Sequence, residues 1–172
     1  MKKMLIVSWS AITLMACTSP TPKISEPAQA KRGNGYTDVE TENVKLVKKL
    51  NEASLVNLDS AATLAFYSSS TDTIHDNLDN MTVAENIQVL PKLKKAGFNA
   101  TIDSYEAIWE TINDSANAKG QTNFVIAYMT VTINKGQKSA KFIYNQVCAV
   151  KNGKVVEEWD VYDTKPLSNI LK

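Results

Sequence analysis

The chain has 172 residues, of which 44% are hydrophobic and 22% charged, and its 19 Lys and Arg nearly balance 18 Asp and Glu for a formal charge of +1. Near neutrality argues against the basic face that nucleic-acid binding requires, so no nucleic-acid partner is expected. With only Cys17 and Cys148 there is no disulfide framework, and stability must come from a packed core.

The first 17 residues have the order of a secretory signal. Lys2 and Lys3 form a positive n-region, and residues 4–15 (MLIVSWSAITLM) form an apolar run. That run is shorter than the roughly 20 residues a spanning helix needs, and it fits a signal h-region. Leu14-Met15-Ala16-Cys17 then resembles the bacterial lipobox, in which a small residue precedes a cysteine that takes a diacylglyceryl group before cleavage. Acylation would leave Cys148 as the single thiol and, with Lys2 and Lys3 removed, 17 basic residues against 18 acidic ones. Thr18 and Ser19 lack the acidic residue that retains such proteins in the inner membrane, so the expected location is the cell envelope, lipid-anchored in the outer membrane. Residues 18–37 hold three of the five prolines and two glycines, the composition of a flexible tether. Residues 38–172 suffice for one domain with one core.

Thr37-Asp38-Val39-Glu40 has capping-box spacing and predicts a helix start. Val39, Leu46, Val47, Leu50 and Ala53 then fall on one stripe, with Lys45, Lys48, Lys49 and Glu52 elsewhere, as an amphipathic helix requires. A second short helix is predicted over residues 60–67, with Asp59 as its N-cap. After a strand-like piece at residues 72–76, Thr82-Val83-Ala84-Glu85 opens a third helix that Pro91 should kink and Gly97 should stop. From residue 99 onward, β-branched and aromatic residues between turn signals predict four strands, at residues 99–113, 123–134, 137–150 and 155–163. Helices first and a meander afterwards predict an α+β fold. Cys148, inside Val147-Cys148-Ala149-Val150, reads as a buried packing residue.

The turn Asn152-Gly153 sets a register for the last hairpin. Counting outward from Val150 opposite Val155, one face holds Ala149 with Val156, Val147 with Glu158, Asn145 with Asp160, and Ile143 with Tyr162. The other holds Cys148 with Glu157, Gln146 with Trp159, and Tyr144 with Val161. Two carboxylates thus stand beside Asn145 and Tyr162 in an otherwise apolar patch, where burial would raise a pKa and make a general acid or base. For the preceding strand, a two-residue loop would bring Phe124, Ile126 and Tyr128 to this patch, whereas a three-residue loop would bring Val125, Ala127 and Met129.

The segment Ala65-Phe66-Tyr67, the run Asp72-Thr73-Ile74-His75-Asp76, the capped helix at Thr82 and the ending from Lys151-Asn152-Gly153-Lys154 to Asp163 resemble the SnoaL-like branch of the nuclear transport factor 2 superfamily, over about residues 39–163. The resemblance implies a cone-shaped curved antiparallel sheet wrapped around three N-terminal helices, with a central pocket, and an outer sheet face that often makes a homodimer. It also implies that Asp160, Glu158 and Tyr162 face the pocket while Trp159 and Val161 face outward. Epoxide hydrolases of the group need an Arg and an Asp two apart on a middle strand, but residues 124–133 carry no charge. Dehydratases use paired histidines, and His75 is alone.

Asp160 is therefore the candidate catalytic group, and Tyr67, His75, Trp109, Tyr128, Asn145, Glu158 and Tyr162 are the candidate pocket residues. Alternation directs His75 away from Asp72 and Asp76; Trp109 and Tyr105 should share a strand face. No metal-ligand spacing, phosphate loop or serine-nucleophile elbow appears, and no cofactor is expected. The preferred reading is a membrane-anchored domain that binds a small apolar or amphipathic molecule without catalysis. The alternatives are a cyclase- or isomerase-type enzyme using a pocket carboxylate for proton transfer, and an envelope assembly module docking through its outer face, onto itself or another protein.

Overall fold

The computed structural model describes residues 40–171. The signal segment, Cys17, the tether and the Thr37 to Val39 part of the first predicted capping box lie outside the described residues. The helix starts later than that spacing suggested. α1 (Glu42–Asn51) is capped by Thr41, whose hydroxyl accepts from the Val44 amide. Val44, Val47 and Leu50 are buried on it, and a π-helical turn (Glu52–Val56) continues the chain and buries Ala53. α2 (Ser60–Leu64) has the predicted Asp59 cap, which accepts from the Ala62 amide.

β1 (Thr73–Asp76) and β2 (Asp79–Thr82) form a small hairpin, of which only the first strand was predicted. Thr82 then begins α3 (Val83–Lys95) with the full reciprocal capping box to Glu85. Pro91 does not end this helix. Its missing N–H leaves the Ile87 carbonyl open, and the Ser60 hydroxyl donates to that carbonyl at 2.6 Å. Gly97, at φ +80°, makes the left-handed stop.

The meander follows as β3 (Phe98–Ile112), β4 (Asn123–Lys135), β5 (Lys138–Lys151) and β6 (Lys154–Tyr162), close to the predicted bounds. A last helix, α4 (Lys165–Leu171), was not predicted. The six strands form one sheet in the order β2-β1-β6-β5-β4-β3, all neighbours antiparallel except β1 and β6, which run parallel. The sheet curves over the helices, the α+β cone that the sequence led us to expect. One apolar cluster joins α1 to Tyr67, Ile74, Val83, Val125, Cys148 and Val155, and a second gathers Ala127, Met129, Val131, Phe142 and Tyr144.

Asn152 (φ 52°) and Gly153 (φ 69°) take the two positive φ angles expected of the hairpin turn, and Val150 pairs with Val155. Beyond that pair the register slips. Ala149 pairs with Glu157, Cys148 with Glu158, and Gln146 with Asp160, so Val156 is an extra residue, a β-bulge. The simple count therefore put the correct β6 carboxylates opposite the wrong face of β5.

Candidate functional site

A cavity of about 330 Å3 lies between the concave sheet face and the helices. Its apolar wall comes from Leu55, Leu90, Leu93, Ile133, Phe142 and Leu167, supplied by the π-helical turn, α3, β4, β5 and α4. Its polar end is built by β1 and β6. Asp76 pairs with Asp160 across the parallel ladder and Ile74 with Glu158, so both acids of β6 share the inward face with Asp76.

Glu158 and Asp160 are each only 5% exposed. The Tyr67 hydroxyl donates to Glu158 Oε2, and Gln146 Nε2 donates to Glu158 Oε1 at 2.7 Å. Tyr162 donates its hydroxyl to Asp76 Oδ2 at 3.2 Å. Burial pushes the Asp160 carboxyl well above the ordinary carboxylate range, and the charge and hydrogen bond of Glu158 push it further, against a smaller opposing effect from the Tyr144 hydroxyl. Burial and the neighbouring carboxylates likewise hold the Tyr67, Tyr144 and Cys148 protons on. The outcome is a carboxyl whose charged form is disfavoured, beside a second acid that accepts hydrogen bonds from Tyr67 and Gln146. Such a pair can donate to a ligand oxygen, move a proton, or accept a donor-bearing ligand. Asp160 Oδ1 and Asp76 Oδ1 have no hydrogen-bond partner.

The candidate catalytic Asp160 and, of the predicted pocket residues, Tyr67, Glu158 and Tyr162 line this cavity. Asn145 does not. The bulge at Val156 sets Gln146 beside Asp160 on the inward face, and Asn145 pairs with Val161 on the outer face. Tyr128 pairs with Asn145 and is 42% exposed, also on the outside. The β4–β5 loop does have two residues, as one alternative supposed, but the face it joins is the outer one, and Val125, Ala127, Met129 and Val131 face inward. Trp109 stacks on Tyr128 at 5.9 Å, outside the cavity and parted from Tyr105. The cause is a register shift in β3 between Tyr105 and Ala107, which leaves Tyr105 inward and Trp109 outward. His75 points away from Asp76, as alternation required, and stacks on Trp159 at 5.2 Å on the outer face.

His75 belongs to a second polar cluster there. Its Nε2 lies 2.7 Å from Glu157 Oε1, Gln121 Nε2 donates to Glu157 Oε2 at 2.9 Å, and Lys119 pairs with the same carboxylate. Burial alone would raise the Glu157 carboxyl, but the bonds from Lys119, His75 and Gln121 outweigh it and hold it below the ordinary range. This cluster pins the β3–β4 loop to the sheet.

The sequence reading missed Asp76, Tyr144 and Gln146 as site residues. Asp76 was within reach of the sequence, because alternation from His75 already put it on the opposite side. Tyr144 and Gln146 needed the bulge. α4 also had a signal, Asp163 ahead of Pro166, and the Asp163 carboxylate does accept from the Lys165 amide at 2.8 Å.

No family model and no curated protein matches the chain in sequence. Solved structures do match in fold. A chain named as a SnoaL-like polyketide cyclase from Shewanella putrefaciens CN-32 superposes with a TM-score of 0.57 at 15% identity, over 76% of this chain and 96% of that one. An LEH-like epoxide hydrolase of M. tuberculosis gives 0.55 at 19% identity, over 76% and 92%. An NTF2-like protein from Burkholderia xenovorans LB400 gives 0.54 at 13% identity, over 76% and 96%. The chain therefore has the NTF2-like cone fold. Likeness at this level carries the fold and no reaction.

Proposed function

We propose that this domain binds a small amphipathic molecule in the cavity, with its apolar body against Leu55, Leu90 and Phe142 and its polar group at Asp160. The observation that carries this reading is an apolar cavity of about 330 Å3 ending in a buried carboxyl whose Oδ1 has no partner in the protein. Ligand sites are commonly of this kind: concave, mostly apolar, with few convergent polar groups. A buried acceptor left open costs about 1–3 kcal/mol, which a ligand donor would recover. The reading keeps the lipid anchor expected at Cys17 and the tether expected over residues 18–37, so that binding would occur at a membrane surface. A thermal-shift screen of small amphipathic compounds, with native mass spectrometry of the purified protein, tests it. The expected result is at least one stabilising or co-purifying compound whose effect is lost when Leu90 is replaced by Trp, which fills the cavity. A silent screen and a bare subunit mass would end it.

A second reading, proton transfer of the cyclase or isomerase type, is favoured by the raised proton affinity of buried Asp160 next to Glu158. Asp160 would donate to a substrate carbonyl oxygen and Glu158 would take a proton from the adjacent carbon. Its test is turnover of ketone substrates by Asp160→Asn: activity equal to that of the unmodified protein excludes it. Epoxide opening has less support, because the inward residues of β4 are Val125, Ala127, Met129 and Val131, where that chemistry needs an Arg and an Asp.

A further inference from the structure

We infer that the cavity is made for an organic cation, a primary or secondary amine with an apolar body, whose ammonium sits between Asp76 and Asp160. This deepens the ligand-binding reading above and rests on it. Asp76 and Asp160 are register partners on adjacent parallel strands, so their carboxyls leave the same face of the sheet one strand spacing apart, with Glu158 one step along β6. All three acids line the cavity, and among the described residues that line it there is no lysine, arginine or histidine. Elsewhere the buried acids are answered by protein: Glu157 by Lys119, His75 and Gln121, and Glu110 by Asn43 and Asn123.

The open valences point the same way. Asp160 is 5% exposed and aimed into the cavity, and its Oδ1 has no partner. Asp76 Oδ1 is also without one, as is Gln146 Oε1 just behind Glu158. Every orphaned atom at this end of the cavity is an acceptor, so a completing ligand must bring donors. An ammonium brings up to three together with the opposite charge, an alcohol brings one, and a carboxylate or phosphate brings none and is repelled. Tyr144 and Tyr162, stacked at 5.2 Å, stand beside the acids.

Proton linkage follows from the groups that face Asp160: Asp76 of β1, Glu158 and Tyr162 of β6, Tyr144 and Cys148 of β5, and Tyr67 after α2. None is a cation. Burial and the neighbouring Glu158 and Asp76 carboxyls raise the proton affinity of Asp160, so a proton and an ammonium compete for the same place. Amine affinity should therefore rise with pH until the amine itself loses its charge near pH 10.

The experiment is isothermal titration of the full-length protein with 2-phenylethylamine, its neutral counterpart 2-phenylethanol, and 3-phenylpropanoate, at about pH 6 and about pH 8 in paired buffers. The amine is expected to bind about tenfold or more tightly than the alcohol and the carboxylate most weakly, with proton release on amine binding and a larger amine advantage at the higher pH. Asp160→Asn and, separately, Asp76→Asn should bring the amine down to the level of the alcohol while alcohol binding persists. An alcohol that binds as tightly as the amine overturns the cation inference and leaves the binding reading standing. Silence from all three probes overturns the inference and, together with a silent compound screen, the binding reading beneath it.

Discussion

Ala149 pairs with Glu157, not with Val156, and that one-residue slip decides which side chains meet in the cavity. Because strand side chains alternate, the bulge rotates the rest of β6 relative to β5 and sets Glu158 beside Cys148 and Asp160 beside Gln146. Removing Val156 takes out the extra residue, so an unbroken ladder should keep Glu157 opposite Ala149, Glu158 opposite Cys148 and Asp160 opposite Gln146, with both acids still facing the cavity. The expected outcome is a variant that still unfolds cooperatively and binds no more hydrophobic dye than the parent. A deletion variant that loses cooperative unfolding and exposes apolar surface would refute this register.

Stability should respond to pH in opposite senses at the two buried acids. Asp160 is held above its unfolded value of about 3.9, so its contribution is present below that value and lost as pH rises through the folded one. Glu157 is held below its unfolded value of about 4.3, so its contribution is present above that value and lost as pH falls through the folded one. Asp160→Asn should flatten the alkaline fall in Tm and Glu157→Gln the acid fall, measured by calorimetry from about pH 3 to about pH 9.

Tyr67→Phe removes the hydroxyl that donates to buried Glu158 and leaves it the bonds with Gln146 and Asp160. Leaving a buried acceptor short of a donor costs about 1–3 kcal/mol, and a loss of that size is expected in urea unfolding with an unchanged m-value.

Ser60 and Pro91 should be energetically coupled, because the Ser60 hydroxyl fills the carbonyl that Pro91 leaves open at Ile87. Ser60→Ala should cost about 1 kcal/mol in the parent chain and close to nothing once Pro91→Ala restores the helix N–H. A double-mutant cycle reads the difference directly.

The lipid proposed at Cys17 has its own test. Cys17→Ser should abolish incorporation of a labelled fatty acid and move the protein from the membrane to the soluble fraction of fractionated cells, and continued labelling of the variant would remove the anchor from the account.

The order of elements, the caps at Asp59 and Thr82, the stop at Gly97 and the turn at Asn152-Gly153 were legible in the sequence because each depends on residues within a few positions of one another. So was the burial of Cys148, which its apolar neighbours announce. What surrounds Asp160 was decided by tertiary structure. The bulge at Val156 and the shift beside Tyr105 carry no local residue signature, yet each changes which side chains share a face, setting Asn145, Tyr128 and Trp109 outside and Gln146 and Tyr144 with the acids. The parallel pairing that sets Asp76 against Asp160 joins residues 84 positions apart, and contact at that separation follows from closure of the whole sheet.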